Sequence, residues 1–243
     1  MADQKSQVYA MRHSLAHIMA NAAQHLWPEA KFGVGPVVEN GFYYDIDLGE
    51  TKLSDEDFAR IEAEMKQIIR ADEPFEKFET NMDEAIEWAQ QNEQPYKLEL
   101  LNDLKRAGTT IAKDLDVDEL GLAAADGESK VETVSFYRNG DFTDLCRGPH
   151  VESTGKTGAF KLMRVSGAYW RGNEKNNQMQ RIYGVAFETE KELRQHLAML
   201  EEAKKRDHRK LGQDLDLFLF SDLVGSGLPL FTPRGTVLRD ALS

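Results

Sequence analysis

The chain holds 243 residues, 41% of them hydrophobic and 30% charged, with 7 prolines, 18 glycines and one cysteine, Cys146. This balance describes a globular chain with a real core and excludes a disordered, collagen-like or disulfide-stapled one. With 30 Lys and Arg against 42 Asp and Glu the net charge is -12, which argues against a surface that grips nucleic acid everywhere and leaves room only for a local basic patch.

In chain order, the first pattern is helical. Met11, Leu15, Ile18, Met19, Ala22, Ala23 and Leu26 recur at three and four over 8–26, and Trp27-Pro28 closes the run. The following segment, 31–48, places Glu39-Asn40-Gly41 between two apolar runs, a hairpin signal. Ser54 and Asp57 open a helix to about residue 71, with Phe58, Ile61, Met65 and Ile68 on one face. A strand over 75–79, a helix over 82–91 and a short strand over 96–100 are expected next. The acidic stretch 109–130 reads as a loop-rich insertion. A second hairpin is expected from strands 131–138 and 141–146 around Asn139-Gly140, then β-rich runs over 160–170 and 180–187, then a long helix over 190–211. Strands and helices mix irregularly, so the class is α+β with a mixed or antiparallel sheet. A domain boundary falls inside or after the long helix, because 215–243 opens new apolar runs too short to complete a domain.

The start of the chain contains no secretory signal pattern, and nowhere do 18 apolar residues follow one another. With a single cysteine, this suits a reducing, cytoplasmic setting and no membrane.

His13 and His17 stand four apart on the first helix, so their rings share a face. Cys146 and His150 are also four apart, but Gly148-Pro149 between them makes a loop leaving a strand. Three nitrogens and one sulfur suit tetrahedral zinc; a closed tetrad is structural, whereas a gap leaves room for water. A histidine pair at this spacing also arises by chance, and His25, His196 and His208 show that helical histidine is not rare here. Joining the pair to the only cysteine and a fourth histidine shifts the balance toward function. Taken alone, Lys97 and Asp144 read as solvated surface charges.

The segments RHSLAHIMANAAQHLWPEAKFGVGPVVENGFYYDID, TDLCRGPHVESTG and FKLMRVSGAYWRGNEKNNQMQRIYG resemble, in this order, the editing domain of threonyl-tRNA synthetases. The segments KRDHRKLGQDLDLFLF and GLPLFTPRGTVLRDALS are similar to the entrance of that family's class II catalytic domain. The resemblance implies an editing domain over 1–189, a linker helix over 190–212 and the start of a truncated catalytic domain over 213–243. It further implies that the small N-terminal module of many relatives and the ATP-binding motifs lie outside this chain, so that aminoacylation is out of its reach.

The implied chemistry is hydrolysis of serine wrongly esterified to threonine tRNA. Serine lacks one methyl of threonine, and a pocket for the larger molecule rejects the smaller by only about 1 to 3 kcal/mol, so a second site must remove the error. Matched to the family, His13, His17, Lys97, Asp144, Cys146 and His150 are the catalytic positions, and Gly35 and Tyr44 line the pocket. The family's editing site is understood to work without a metal, so no cofactor is expected there; zinc, and ATP with magnesium, belong to the absent catalytic domain. A cleft joining the four ligand-like residues is expected, with Lys97 and Asp144 on its rim. Expected partners are tRNA(Thr) and seryl-tRNA(Thr), with a homodimer for the full enzyme.

For tRNA, the run 161–181 offers Lys161, Arg164, Arg171, Lys175 and Arg181 with Tyr169 and Trp170 interleaved, where cations meet phosphate and aromatics stack a terminal adenine. The competing reading makes Tyr169 and Trp170 core residues and the charges a solvated face. The basic run 204–210 reads first as a helix C-terminus complementing its dipole. Two other functions remain open: a non-catalytic tRNA-binding fragment with structural zinc, and a zinc-dependent alanyl-tRNA deacylase, against which 205–243 argues.

Overall fold

A computed structural model describes residues 2–107, 131–221, 223–225 and 227–242; the acidic stretch 109–130 lies outside them. The first helix, α1 (Ala2–Leu26), buries Leu15, Ile18, Met19, Ala22 and Ala23 completely. Its many alanines let it lie close against the neighbouring sheet. That sheet contains β1 (Lys31–Phe32), β2 (Val37–Val38), β3 (Gly41–Asp47), β7 (Ala159–Tyr169) and β8 (Gln178–Phe187), in the order β1-β3-β8-β7 with β2 also on β3. Every pairing is antiparallel. Pairing of Val38 with Gly41 leaves Glu39 and Asn40 as a two-residue turn in which only Asn40, at φ +62°, is left-handed, a conformation asparagine tolerates better than most residues. On α1 packs α2 (Phe58–Ala71), whose Phe58, Ile61, Met65 and Ile68 face inward as their spacing predicts.

A smaller antiparallel sheet is formed by β4 (Glu76–Asn81), β5 (Thr133–Asn139) and β6 (Phe142–Leu145); the expected hairpin is present, but Asn139 pairs with Phe142, so the two-residue turn is Gly140-Asp141, one residue later than expected, with Gly140 at φ +61°. Beside it lie α3 (Met82–Gln91) and α4 (Pro95–Ala107). The strand expected over 96–100 is the start of α4. Pro95 takes the first helical position, where its missing N–H costs nothing, and Tyr96, Leu100, Leu101 and Leu104 all bury on one helical face.

Two apolar cores result. One joins α1, α2 and the larger sheet; the other joins α3, α4 and the smaller sheet with Val34, Trp170 and Met179. Strand β6 runs along the seam, giving Phe142 to the first core and Leu145 to the second. Asp144 sits between these two anchors, and so does the site described below.

The chain divides into compact units at 1–193 and 194–243. The helix expected over 190–211 is two helices, α5 (Glu190–Lys205) and α6 (His208–Asp214). Asp207 breaks the run: its backbone is non-helical and its carboxylate caps α6 by accepting from the Arg209 N–H, which is what a short acidic side chain does best. The second unit also contains an antiparallel pair, β9 (Phe218–Phe220) and β10 (Pro229–Phe231), and α7 (Pro233–Leu242). The class is α+β, as expected, with antiparallel sheets. Among the described residues, no helix is long and apolar enough to cross a membrane.

Candidate active site

Four elements from both cores deliver their side chains to one point. Helix α1 places His13 and His17 a turn apart with ring centroids 5.1 Å from each other. The chain leaving β6 brings Cys146 and, four residues later, His150. Gly148 makes that short loop possible, because it has φ +81° and packs so tightly on Tyr137 that a Cβ would lie 2.5 Å from the phenol oxygen. His150 stacks on His13 at 4.2 Å and on Phe75 at 4.8 Å, and meets His17 edge-on at 4.4 Å. The Cys146 Sγ lies 3.4 Å from His13 Nε2 and 3.3 Å from His150 Nε2, and accepts the Gly148 N–H at 3.2 Å. His13 Nδ1 contacts the Pro149 carbonyl at 3.2 Å, and His150 Nδ1 contacts Ser14 Oγ at 3.0 Å.

Next to the histidines lies a charged pair. Lys97, on α4, places its ammonium 2.5 Å from Asp144 Oδ1 and 3.3 Å from the Tyr44 hydroxyl, which donates in turn to Asp144 Oδ2. The same Oδ2 stands 3.7 Å from His17 Nε2. The expectation that Lys97 and Asp144 sit on the rim is corrected here, since each is only 3% exposed. Such a pair is retained inside a protein only when each charge satisfies the other. Tyr44, on β3, is itself fully buried, and Gly35 lies under its ring so closely that a Cβ there would meet Tyr44 Cδ2 at 2.2 Å. Gly35 therefore fixes where the phenol points.

Burial sets the protonation of the cluster. Desolvation, opposed in part by the Pro149 hydrogen bond, brings His13 down to about 4. Desolvation, with mutual repulsion among the imidazolium forms and Lys97, holds His17 well below its ordinary value, and desolvation with His13 does the same to His150. The thiol of Cys146 is pushed up to about 12, by burial first and the Asp144 charge second. Near neutral pH the site therefore holds three uncharged imidazoles, a thiol and one ion pair. One imidazole nitrogen, His17 Nδ1, is buried without a hydrogen-bond partner among the described residues.

The donor atoms of His13, His17, Cys146 and His150 lie within 4.8 Å of one another. Tetrahedral zinc would separate nitrogen and sulfur donors by about 3.3 to 3.6 Å, given bonds of about 2.0 and 2.3 Å. The two sulfur–nitrogen distances lie near that range, whereas the donor set as a whole spreads to 4.8 Å, so the four residues could hold zinc only by drawing closer together. Space adjoins the cluster on two sides. A cavity of about 220 Å³ reaches Lys97, Asp144 and Thr143, and a more open cleft of about 480 Å³ reaches His150 beside Met11, Val151 and Lys156.

The basic and aromatic residues expected to meet tRNA are dispersed in role. Lys161 pairs with Glu62 at 3.0 Å, Arg164 lies 3.9 Å over the Tyr183 ring, and Arg181 grips both oxygens of Asp45. Trp170 is a core residue, 4% exposed, with its indole N–H donated to Glu99 at 2.8 Å, so it offers no face for stacking a base. Arg171 pairs with Glu99 at 3.1 Å and Asp103 at 2.7 Å. Both residues fasten the loop after β7 to α4, the helix that carries Lys97. Only Tyr169 of the aromatic pair is open to solvent, at 45%.

Residues 134–183, which include Asp144, Cys146 and His150, match the family model described as "Threonyl and Alanyl tRNA synthetase second additional domain". The threonine–tRNA ligase of Acetivibrio thermocellus is 48% identical over 96% of this chain and 33% of its own length. Those of Sulfurihydrogenibium sp. and Enterococcus faecalis are 45% and 46% identical over 98% of this chain, and 34% and 33% of their own lengths. Nearly all of this chain resembles threonine–tRNA ligases. It spans about a third of the length of those relatives. The similarity extends well past the matched domain and so takes in α1 and α4, which carry His13, His17 and Lys97.

One member of the cluster had no signal in the sequence. Ser14 is fully buried, and its hydroxyl joins His150 to the backbone N–H of Val151, which it accepts at 3.0 Å. Its position between two histidines was the only available hint.

Proposed function

We propose that this chain is the editing part of a threonine–tRNA ligase and hydrolyses the ester of serine mischarged onto tRNA(Thr), without a resident metal. The observation that carries the reading is the buried Lys97–Asp144–Tyr44 group set directly against three neutral imidazoles, in a chain similar to those ligases along nearly its whole length. An ester needs a cation where negative charge develops and a base for the attacking water. Lys97 donates to Asp144 and Tyr44 and keeps a third N–H for the carbonyl oxygen. His17 turns Nε2 toward Asp144, which leaves the lone pair of Nδ1 for the water proton. Water oxygen bonds to the ester carbon, the bond from that carbon to the ribose oxygen breaks, and the ribose oxygen takes up the proton held by the imidazole. Cys146 stays a thiol and is no nucleophile, because burial denies it the thiolate.

On this reading Lys161, Arg164 and Tyr169 face the tRNA, while Trp170 and Arg171 support α4. For the whole protein the reading gives attachment of threonine to tRNA(Thr) with ATP, as a cytoplasmic homodimer.

The test is ester release by the purified chain. Serine should be freed from seryl-tRNA(Thr), threonyl-tRNA(Thr) should be spared because its extra methyl overfills the pocket, and the rate should survive chelation. Activity lost with EDTA and restored by zinc would make this a zinc-dependent deacylase, with His13, His17, Cys146 and His150 as ligands. A folded, tRNA-binding chain that hydrolyses neither ester would be a binding module.

A further inference from the structure

The hydrogen-bonding groups around Cys146 can be satisfied together in only one way, and the assignment ends at Ser14, a residue to which neither the histidine spacing nor the family resemblance gave a role. A carbonyl oxygen only accepts, so the contact of His13 Nδ1 with Pro149 O puts the proton on Nδ1 and leaves Nε2 a lone pair. That lone pair faces the Cys146 sulfur, whose single proton must therefore point to it. With its proton spent, the sulfur is an acceptor for its two other neighbours, the Gly148 N–H and His150 Nε2, so His150 carries its proton on Nε2. His150 Nδ1 is then the acceptor, and the Ser14 hydroxyl, which already accepts the Val151 N–H, must donate to it.

We propose that Ser14 is a positioning residue that holds His150 as its Nε2–H tautomer and thereby orients the relay Ser14 O–H to His150, His150 to Cys146, Cys146 to His13, and His13 to the Pro149 carbonyl. The ordering matters because a neutral imidazole is a donor on one side and an acceptor on the other, and the wrong tautomer presents the wrong group to the reacting atoms. Without the hydroxyl, His150 has no donor at Nδ1 and its two tautomers compete; the thiol proton then has two imidazole lone pairs to choose from. The catalytic consequence rests on the hydrolytic reading above, whereas the tautomer assignment stands without it.

The experiment is nitrogen-15 NMR of the histidine-labelled chain in EDTA at neutral pH, comparing native, Ser14→Ala and Ser14→Thr proteins. In the native chain His150 should be protonated on Nε2 and His13 on Nδ1. In Ser14→Ala the His150 proton should divide between both nitrogens, and Ser14→Thr, which keeps the hydroxyl, should restore the native pattern. Hydrolysis of seryl-tRNA(Thr) should lose about tenfold or more in kcat with KM unchanged in Ser14→Ala, and recover in Ser14→Thr. A native His150 protonated on Nδ1 overturns the assignment even if Ser14→Ala fails to fold. An unshifted His150 tautomer in a folded Ser14→Ala overturns it equally. A native chain that hydrolyses no ester, with the tautomers as assigned, removes the editing reading and leaves the relay in place.

Discussion

Lowering the pH should unfold the first unit through its buried histidine cluster. His13 is brought to about 4, and His17 and His150 are held well below their ordinary value, while an unfolded chain returns each to about 6.5. Above 6.5 neither state binds these protons, and stability is complete. Below it the unfolded chain takes up protons that the folded site refuses, and each imidazole removes up to about 1.4 kcal/mol per pH unit. For His13 the loss continues down to about pH 4, where the folded state begins to accept the proton. Three such groups between pH 6.5 and 4.5 amount to roughly 8 kcal/mol at most, comparable to the 5 to 15 kcal/mol that holds most domains folded. His25 works in the opposite sense: burial opposes its proton, but hydrogen bonds to Glu64 and Asp141 prevail and raise it. Its side chain is one-third exposed, so solvent screens that gain. Urea unfolding in EDTA at several pH values, followed by the fluorescence of Trp27, Trp88 and Trp170, would read this directly, since all three lie in the first unit. The unfolding free energy should be level from pH 8 to 7 and fall steeply below 6, and replacing His17 with Gln should reduce the slope by about a third. A free energy unchanged from pH 7.5 to 5 would refute the claim that the cluster is held neutral by burial.

Other outcomes follow from the same geometry. Lys97→Met keeps the stem but strands the Asp144 carboxylate, which should cost about 3 to 5 kcal/mol of stability as well as hydrolysis; adding Asp144→Leu should restore much of the stability and none of the activity, and a double variant no more stable than the single one would contradict the pairing. Gly148→Ala, forced to φ +81° with its Cβ against Tyr137, should lower stability by about 1 to 3 kcal/mol, and an unchanged melting temperature would show that the loop has room to relax. The Cys146 thiol, buried and raised to about 12, should resist iodoacetamide at pH 8 in the folded chain and react quickly once unfolded; labelling at the rate of an ordinary free cysteine would show that the site is open to solvent.

The sequence was readable where a single element decided the outcome. The apolar spacing of α1 and α2 and the Asn-Gly hairpin signals are local, and the structure forms those helices and both hairpins, with the two-residue turns at Glu39-Asn40 and Gly140-Asp141, each one residue away from the Asn-Gly pair. The segment after Pro95 misled because Tyr96, Leu98 and Leu100 also alternate like a strand; only Leu101 and Leu104, beyond the short window, reveal the helical face. The run 190–211 looks continuous because Asp207 is a tolerable helix residue until its carboxylate finds the Arg209 N–H. For the site, histidine and cysteine spacing located two pairs, and the family resemblance added Lys97, Asp144, Tyr44 and Gly35. Ser14 and the burial of Lys97 were hidden for one reason: both are set by partners far along the chain, which no local pattern encodes.

The distance in sequence between Ser14 and His150, 136 residues, has a meaning in time. At a synthesis rate of about 5 to 20 residues per second, roughly 7 to 27 s pass between making one partner and the other. During that interval the alanine-rich face of α1 has neither β8 nor the loop after β6 to cover it. Strands β2 and β3 and helix α2, which pack on the apolar stripe of α1, are made early in that interval, so the nascent chain covers the core face of its first helix long before His13, Ser14 and His17 meet their partners, and the polar cluster is the last part of that helix to close.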